Sequence, residues 1–262
     1  MKPTIINHSF STPPVGAAGR VLNRTLGRWA AGLVIAGAVL LLSTGCGGGS
    51  SPPHPAERIL LLDVSESTTK ARDDYIDHLA KETTDLARDE GTTIHVILAA
   101  GEPLAESCIT STTFSSEEEG DWGELERVRQ AASVTKQVNS LLKDPPIEDR
   151  NHTALIQALV LAGRQATKTE GPLEITIYSD GVERSADLIM YRNKLDDKDI
   201  RTTLDRLESE GLIPKKSLRG VSVNWVLPGY HEGGWNGSVD VLRIEKFWRA
   251  YAERVGAKLS WG

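Results

Sequence analysis

Two kinds of hydrophobic pattern alternate along residues 58 to 262. Short runs of consecutive apolar residues predict buried strands, and apolar residues that recur every three or four positions predict helices with one buried side. The predicted strands cover residues 58–62, 93–99, 107–113, 173–179, 221–227 and 257–261. The predicted helices cover residues 70–90, 123–142, 153–167, 196–210 and 239–255.

The order of these elements predicts the fold class. Strands that alternate with helices indicate an α/β fold with a doubly wound, mostly parallel sheet flanked by helices. Residues 107–113 are rich in β-branched side chains and are predicted to pair back on the preceding strand as an antiparallel edge strand. Residues 58–262 suit one compact domain, because α/β folds of this size bury a single core. The second helix is predicted to bury a stripe made of Leu125, Val128, Ala132, Thr135, Val138 and Leu142.

The first 45 residues have the pattern of a secretory signal. They contain four basic residues and no acidic one, and the apolar run from Trp29 to Leu42 has 14 residues. A helix needs about 20 apolar residues to span a bilayer, so this run is short. It is followed by a lipobox-like site that ends at Cys46, the predicted lipidated first residue of the mature protein. An uncleaved signal anchor is the alternative. Both interpretations place the folded part in a bacterial cell envelope, outside the cytoplasm.

Residues 46–57 are predicted to be a flexible tether, because they are rich in glycine, serine and proline.

The net charge of the mature protein limits the kinds of partner that it can bind. Without the basic residues of the signal, 26 basic side chains face 36 acidic ones, a net charge of −10. Such a surface repels nucleic acid, so we expect no nucleic-acid partner and expect the membrane to be reached through Cys46.

The first strand runs directly into Asp63-Val64-Ser65-Glu66-Ser67. Asp63, Ser65 and Ser67 offer three oxygen atoms at the carboxyl end of a strand, which suits a hard octahedral cation such as Mg²⁺. Two of the three donors are neutral hydroxyls. A site with so little negative charge leaves its ion able to accept one more carboxylate, and a partner protein can supply it.

These residues resemble the von Willebrand factor A (vWA) family, whose metal-ion-dependent adhesion site (MIDAS) begins with Asp-x-Ser-x-Ser. The family's later threonine is matched by Thr153, and its second aspartate, at the end of a central strand, is matched by Asp180 before a glycine. The resemblance covers residues 58–262. It implies that Ser65, Ser67 and Thr153 contact Mg²⁺ directly, while Asp63 and Asp180 act mainly through water. Mn²⁺ and Ca²⁺ are the alternative ions, and a threonine at the start of a helix can also cap it.

Three other residues are candidates for contact with a partner, which would be a protein that offers Asp or Glu to the metal. Glu66 stands where the family commonly has a small residue, and it either leans onto the ion or stays solvated at the rim. Tyr230 and Trp235 lie in a glycine-rich loop after a strand. Aromatic side chains in such loops either anchor partners or fold back onto the core.

Two other classes compete with adhesion. The start of the domain also resembles haloacid-dehalogenase-type phosphatases, but Ser65 stands where these enzymes need a second aspartate as general acid. Because no other catalytic motif is present, we expect no enzyme activity, and the scattered histidines, among them His95 and His152, do not have zinc-site spacing. The remaining alternative is a structural or assembly domain whose metal site is vestigial or only stabilising.

Overall fold

The computed structural model describes residues 56–101, 109–145, 151–168, 171–190, 193–227 and 241–262. The chain divides into two units between residues 48 and 49, and every described residue belongs to the second unit, Gly49–Gly262. The predictions for Cys46, Tyr230 and Trp235 therefore lie outside the described residues. Within the described ranges, no helix is both long and apolar enough to cross a membrane.

Six strands and five α-helices make up the described domain. The strands are β1 (Glu57–Leu62), β2 (Thr93–Leu98), β3 (Ile109–Thr113), β4 (Leu173–Tyr178), β5 (Ser222–Val226) and β6 (Lys258–Trp261). The α-helices are α1 (Arg72–Leu86), α2 (Gly120–Lys143), α3 (Leu155–Ala166), α4 (Asp197–Ser209) and α5 (Val241–Val255). A 3₁₀-helix, Glu66–Ala71, precedes α1.

The strands form one sheet in the order β3-β2-β1-β4-β5-β6. All neighbours are parallel except β3, which runs antiparallel to β2. The predicted fold class is therefore confirmed, including the antiparallel edge strand. The chain order reverses at β1, whose two neighbours are β2 and β4. In open α/β sheets, ligands bind beyond the carboxyl ends of the strands at this kind of switch point.

Each face of β1 contributes to a separate hydrophobic layer. Ile59 and Leu61 pack with residues of α3, α4 and α5 on one face. Leu60 and Leu62 pack with residues of α1 and α2 on the other face. Because all four side chains are fully buried, β1 is a rigid base for the residues that follow it.

Helix α2 is rotated relative to its predicted orientation. Leu125 is 39% exposed and Ala132 is also exposed, although both belong to the predicted buried stripe. The side chain of Arg127 points inward instead and donates hydrogen bonds to the carbonyls of Ala87 and Arg88, just after the last residue of α1. Terminal helix carbonyls have no partner within their own helix. The hydrogen bonds from the Arg127 guanidinium to these carbonyls therefore account for the orientation of α2, in which Leu125 is exposed.

Candidate metal centre

Asp63 and Asp180 occupy the ends of two neighbouring strands. Asp63 follows β1, Asp180 follows β4 by two residues, and β1 pairs with β4 over its whole length. The backbone N–H of Asp63 donates to the carbonyl of Tyr178 at 2.9 Å, which extends this pairing to the site. Both carboxyls are buried. The structure thus brings together the two aspartates that the sequence predicts.

Hydrogen bonds fix the orientation of the Asp63 carboxyl. Its Oδ1 accepts from the backbone N–H of Ser65 at 2.9 Å, and its Oδ2 accepts from the hydroxyl of Ser179 at 2.6 Å. The Ser179 hydroxyl oxygen in turn accepts from the N–H of Gly181 at 3.0 Å. The carboxyl of Asp63 is therefore held by groups from both loops.

The two serines connect the loop after β1 to Asp180. The hydroxyl oxygens of Ser65 and Ser67 lie 3.0 Å apart. The Ser67 hydroxyl also makes a hydrogen bond to the Asp180 side chain. Ser65 is buried and Ser67 is exposed, so the chain of hydroxyls leads from the buried carboxyls to the surface.

Thr153 is joined to the segment that follows Asp180. Its backbone N–H and carbonyl each pair with Arg184, in two hydrogen bonds of 2.9 Å. The predicted cap is wrong: Ala154 is the N-cap of α3, and no side chain of the N-cap residue binds the helix. The side chain of Thr153 is buried.

Burial raises the pKa of Asp63 to about 7, and the neighbouring charge of Asp180 adds to the increase, while hydrogen bonds from Ser179 and Ser65 oppose it. Burial also raises the pKa of Asp180, against hydrogen bonds from Val182 and Ser67. Two buried carboxyls side by side disfavour ionisation of both. A cation between them would remove this cost, so the oxygen donors present fit a hard divalent ion.

The donor set is not that of a zinc or multi-carboxylate cage. Within the described ranges, no group of three or more His, Cys, Asp or Glu residues could hold a metal. His95 is buried and interacts with Ser111 at 2.7 Å and with Glu57 at 3.0 Å. His152 and Glu66 are both exposed. The Glu66 side chain is therefore in contact with solvent.

Arg72 supports the site, a role that the sequence analysis did not predict. Its buried guanidinium donates to the carbonyls of Val64 and Ser65 at 2.9 and 3.0 Å, and to the carbonyl of Leu142 at 2.8 Å. It thereby ties the loop after β1 to the last turn of α2. The sequence pattern predicts that an arginine in the first turn of an acidic helix is exposed to solvent. No local pattern therefore predicts this buried contact.

Tryptophans support the loop after β4 from below. The indole N–H of Trp225 donates to the carbonyl of Ser179 at 3.0 Å. The indole N–H of Trp248 donates to the carbonyl of Gly181 at 2.8 Å. Trp225 also packs against Trp248 and Trp261, with ring centroids 4.9 and 4.7 Å apart. An aromatic cluster therefore fixes the backbone on both sides of Asp180.

No protein-family model matches the sequence, and no curated protein matches it. Among solved structures, the pilus adhesin SpaC from Lactobacillus rhamnosus GG is similar at 10% identity and a TM-score of 0.41, over 79% of this chain and 28% of that one. The von Willebrand factor type A structure from Catenulispora acidiphila is similar at 12% identity and a TM-score of 0.34, over 78% of this chain and 43% of that one. The ArnB paralog VWA2 from Sulfolobus acidocaldarius is similar at 15% identity and a TM-score of 0.32, over 66% of this chain and 35% of that one.

This chain thus spans less than half the length of each of these three structures. At such identities the similarity concerns the fold alone, and no ligand or activity is taken from it. Strands β1 and β4 are neighbours, as the vWA resemblance implies. The described domain has a vWA-like fold.

Proposed function

We propose that this vWA-like domain binds a protein partner through a Mg²⁺-dependent adhesion site. The proposed ligands are the side-chain oxygens of Asp63, Ser65, Ser67, Thr153 and Asp180. The partner would offer an aspartate or glutamate to the ion. Mn²⁺ or Ca²⁺ would serve in place of Mg²⁺ if the site tolerates a larger ion.

One observation carries the proposal: two buried carboxyls, from Asp63 and Asp180, lie together beside serine hydroxyls that lead to the surface. A divalent cation would balance both charges. Because the other three donors are neutral, the ion would remain able to bind an external carboxylate. The exposed Ser67 marks the side from which that carboxylate would approach.

We propose binding and not catalysis for the same site. Phosphoryl transfer with an aspartate nucleophile needs a second carboxyl as general acid, and Ser65 has only a hydroxyl in that place. The alternative is that the ion serves only to stabilise the domain. Adhesion and pure stabilisation both predict metal binding, so the presence of a partner decides between these two roles.

We further propose that the domain is held at a bacterial cell envelope through lipidated Cys46. The support is the sequence pattern of a basic, then apolar, then cysteine-terminated leader. A flexible tether between residues 46 and 57 would let the domain reach a partner away from the lipid.

The deciding experiment is capture of a partner from envelope extract by the full-length protein, in Mg²⁺ and in chelator. We expect one partner to bind in Mg²⁺, to be released by EDTA, and to be absent when Asp63→Ala and Ser65→Ala are combined. Asp196→Ala is the control, because Asp196 caps α4 and lies outside the proposed ligand set. Blocking the carboxyls of the extract with carbodiimide and glycinamide should also abolish capture. Capture that is insensitive to EDTA and to these changes would contradict the proposal.

A further inference from the structure

Glu183 is a fully buried carboxyl in the segment that links Asp180 to Thr153. Its Oε2 accepts a hydrogen bond from the backbone N–H of Ile156 at 3.2 Å, and the N–H of Leu155 also bonds to this carboxyl. Leu155 is the first residue of α3. The side chain of Glu183 therefore binds the amino end of a helix that begins directly after the proposed metal ligand Thr153.

Helix α3 has no cap from its own sequence. Its N-cap residue, Ala154, has no polar side chain, and its first turn contains no acidic residue. The first backbone N–H groups of a helix have no partner within that helix and need one when they are buried. Leu155 and Ile156 are both buried, so water cannot fill this role at the surface. Glu183 supplies the cap from a distant part of the chain.

The same segment holds the backbone of Thr153. Arg184, the residue after Glu183, exchanges two hydrogen bonds of 2.9 Å with Thr153. A threonine at a helix start commonly spends its hydroxyl on the cap. Here Ala154, and not Thr153, is the N-cap residue, and Glu183 supplies the cap. The backbone position of Thr153 thus depends on the two residues at 183 and 184.

The buried carboxyl of Glu183 is costly to keep. The Ser185 side chain also bonds to this carboxyl, but among the described residues none is hydrogen-bonded to its enclosed Oε1. A buried polar atom without a partner lowers stability, and an apolar side chain would avoid this cost. A function that needs the carboxyl accounts for its presence better than packing does.

We propose that Glu183 is a positioning residue that orients Thr153 toward the metal ion by capping α3. This inference rests on the proposed function, since it concerns a ligand of the same ion. It adds a residue outside the five ligands and outside the sequence motifs that indicated them. Residues that orient metal ligands typically change metal affinity by about 10- to 100-fold when they are removed.

The test compares Glu183→Ala with Glu183→Gln in the full-length protein. Titration calorimetry should show Mg²⁺ binding weakened by about 10- to 100-fold in the alanine variant. The glutamine variant keeps an acceptor for the N–H of Ile156, so its affinity should stay close to that of the wild type. Asp196→Ala removes the cap of α4 and serves as the control for loss of a helix cap elsewhere. It should leave Mg²⁺ affinity unchanged.

Hydrogen exchange in the metal-free protein provides a second readout. The amides of Leu155 and Ile156 should exchange faster in Glu183→Ala and remain protected in Glu183→Gln. If the alanine variant fails to fold, Glu183→Asp takes its place. Its side chain is one methylene shorter, so its carboxyl should not reach the amide of Ile156. Mg²⁺ binding should then be weaker and the two amides should exchange faster than in the wild type. Unchanged exchange, or an affinity unchanged in the alanine variant, would overturn the role of Glu183. A wild-type protein that binds no Mg²⁺ would instead overturn the proposed function.

Discussion

The carboxyls of Asp63 and Asp180 lie side by side, although they belong to strands that are far apart in the sequence. Asp63 follows β1, Asp180 follows β4, and these strands are direct neighbours in the sheet. Ser179 bonds to Asp63 while Ser67 bonds to Asp180, so each loop holds the carboxyl of the other. The arrangement places two acidic groups where water has little access.

Metal-free protein should lose stability as the pH rises from about 4 to about 7. The pKa of Asp63 is about 7 in the folded state against an ordinary value of 3.8, so the folded chain keeps a proton that the unfolded chain has released. Stability therefore decreases with pH across this interval. Glu183, whose pKa burial raises to about 8, extends the interval upward. The melting temperature in EDTA should fall by more than about 3 °C between pH 5 and pH 8.

The control for this pH dependence is Asp63→Asn, which keeps the shape of the side chain without its ionisation. Its melting temperature should depend less on pH than that of the wild type. A wild-type protein in EDTA that becomes more stable between pH 5 and pH 8 would show that the buried carboxyls do not dominate this region.

Mg²⁺ should raise the melting temperature of the wild-type protein near pH 7.5. An ion present at about 100 times its Kd adds about 2.7 kcal/mol to the free energy of unfolding, provided that it binds the folded state alone. Asp63→Ala combined with Ser65→Ala should abolish the shift and leave the circular dichroism spectrum unchanged. Asp196→Ala should keep the full shift. A shift that persists in the double variant would place the ion elsewhere.

Sequence reasoning placed Asp63 and Asp180 side by side because their positions follow from local rules. Strand ends can be read from an apolar run, and carboxyl ends of neighbouring parallel strands meet at one edge of the sheet. Asp63 and Asp180 were predicted in this way, whereas Thr153 was predicted from the vWA resemblance. The exposed side of α2 was predicted wrongly. Arg127 points inward and bonds to backbone carbonyls near the end of α1, and the spacing of apolar residues cannot predict such bonds.

The supporting residues of the site could not be read from the sequence for a related reason. Arg72, Glu183 and Trp248 bind backbone carbonyls or N–H groups, which do not depend on the identity of the side chain. A side chain that recognises backbone leaves no paired signal at a second position. Only the three-dimensional arrangement identifies its partner.

Replacing Arg72 by lysine should destabilise the protein and weaken its affinity for Mg²⁺. One ammonium cannot reproduce a guanidinium that reaches three carbonyls, those of Val64, Ser65 and Leu142. Leaving buried carbonyls without a donor costs about 1 to 3 kcal/mol, which urea denaturation would measure. Arg88→Lys changes an exposed arginine and should have little effect. Equal stability of the two variants would show that the loop after β1 is held by other contacts.

Cys46→Ser should move the protein from membrane fractions to the soluble fraction of the cells. A lipid attached at the cysteine thiol requires that thiol, and serine cannot replace it. Membrane retention would be followed by fractionation and immunoblotting, with Cys108→Ser as the control for loss of a thiol. Continued retention of the Cys46 variant would favour the uncleaved signal anchor over lipidation.

Gly181→Ala should be more destabilising than Gly211→Ala, although both glycines have a positive φ, of 79° and 74°. A Cβ at position 181 would lie 2.9 Å from Cγ2 of Ile244 and 3.1 Å from Cη2 of Trp261, whereas a Cβ at position 211 would meet nothing within 4 Å. The strain of a left-handed alanine, about 1 to 2 kcal/mol, is common to both variants. Overlap in the core adds about 1 to 3 kcal/mol at position 181 alone. Urea denaturation of both variants measures the difference. Since Gly181 follows Asp180, only this variant should also weaken Mg²⁺ binding, and equal losses of stability would mean that the tryptophan cluster yields to the added methyl group.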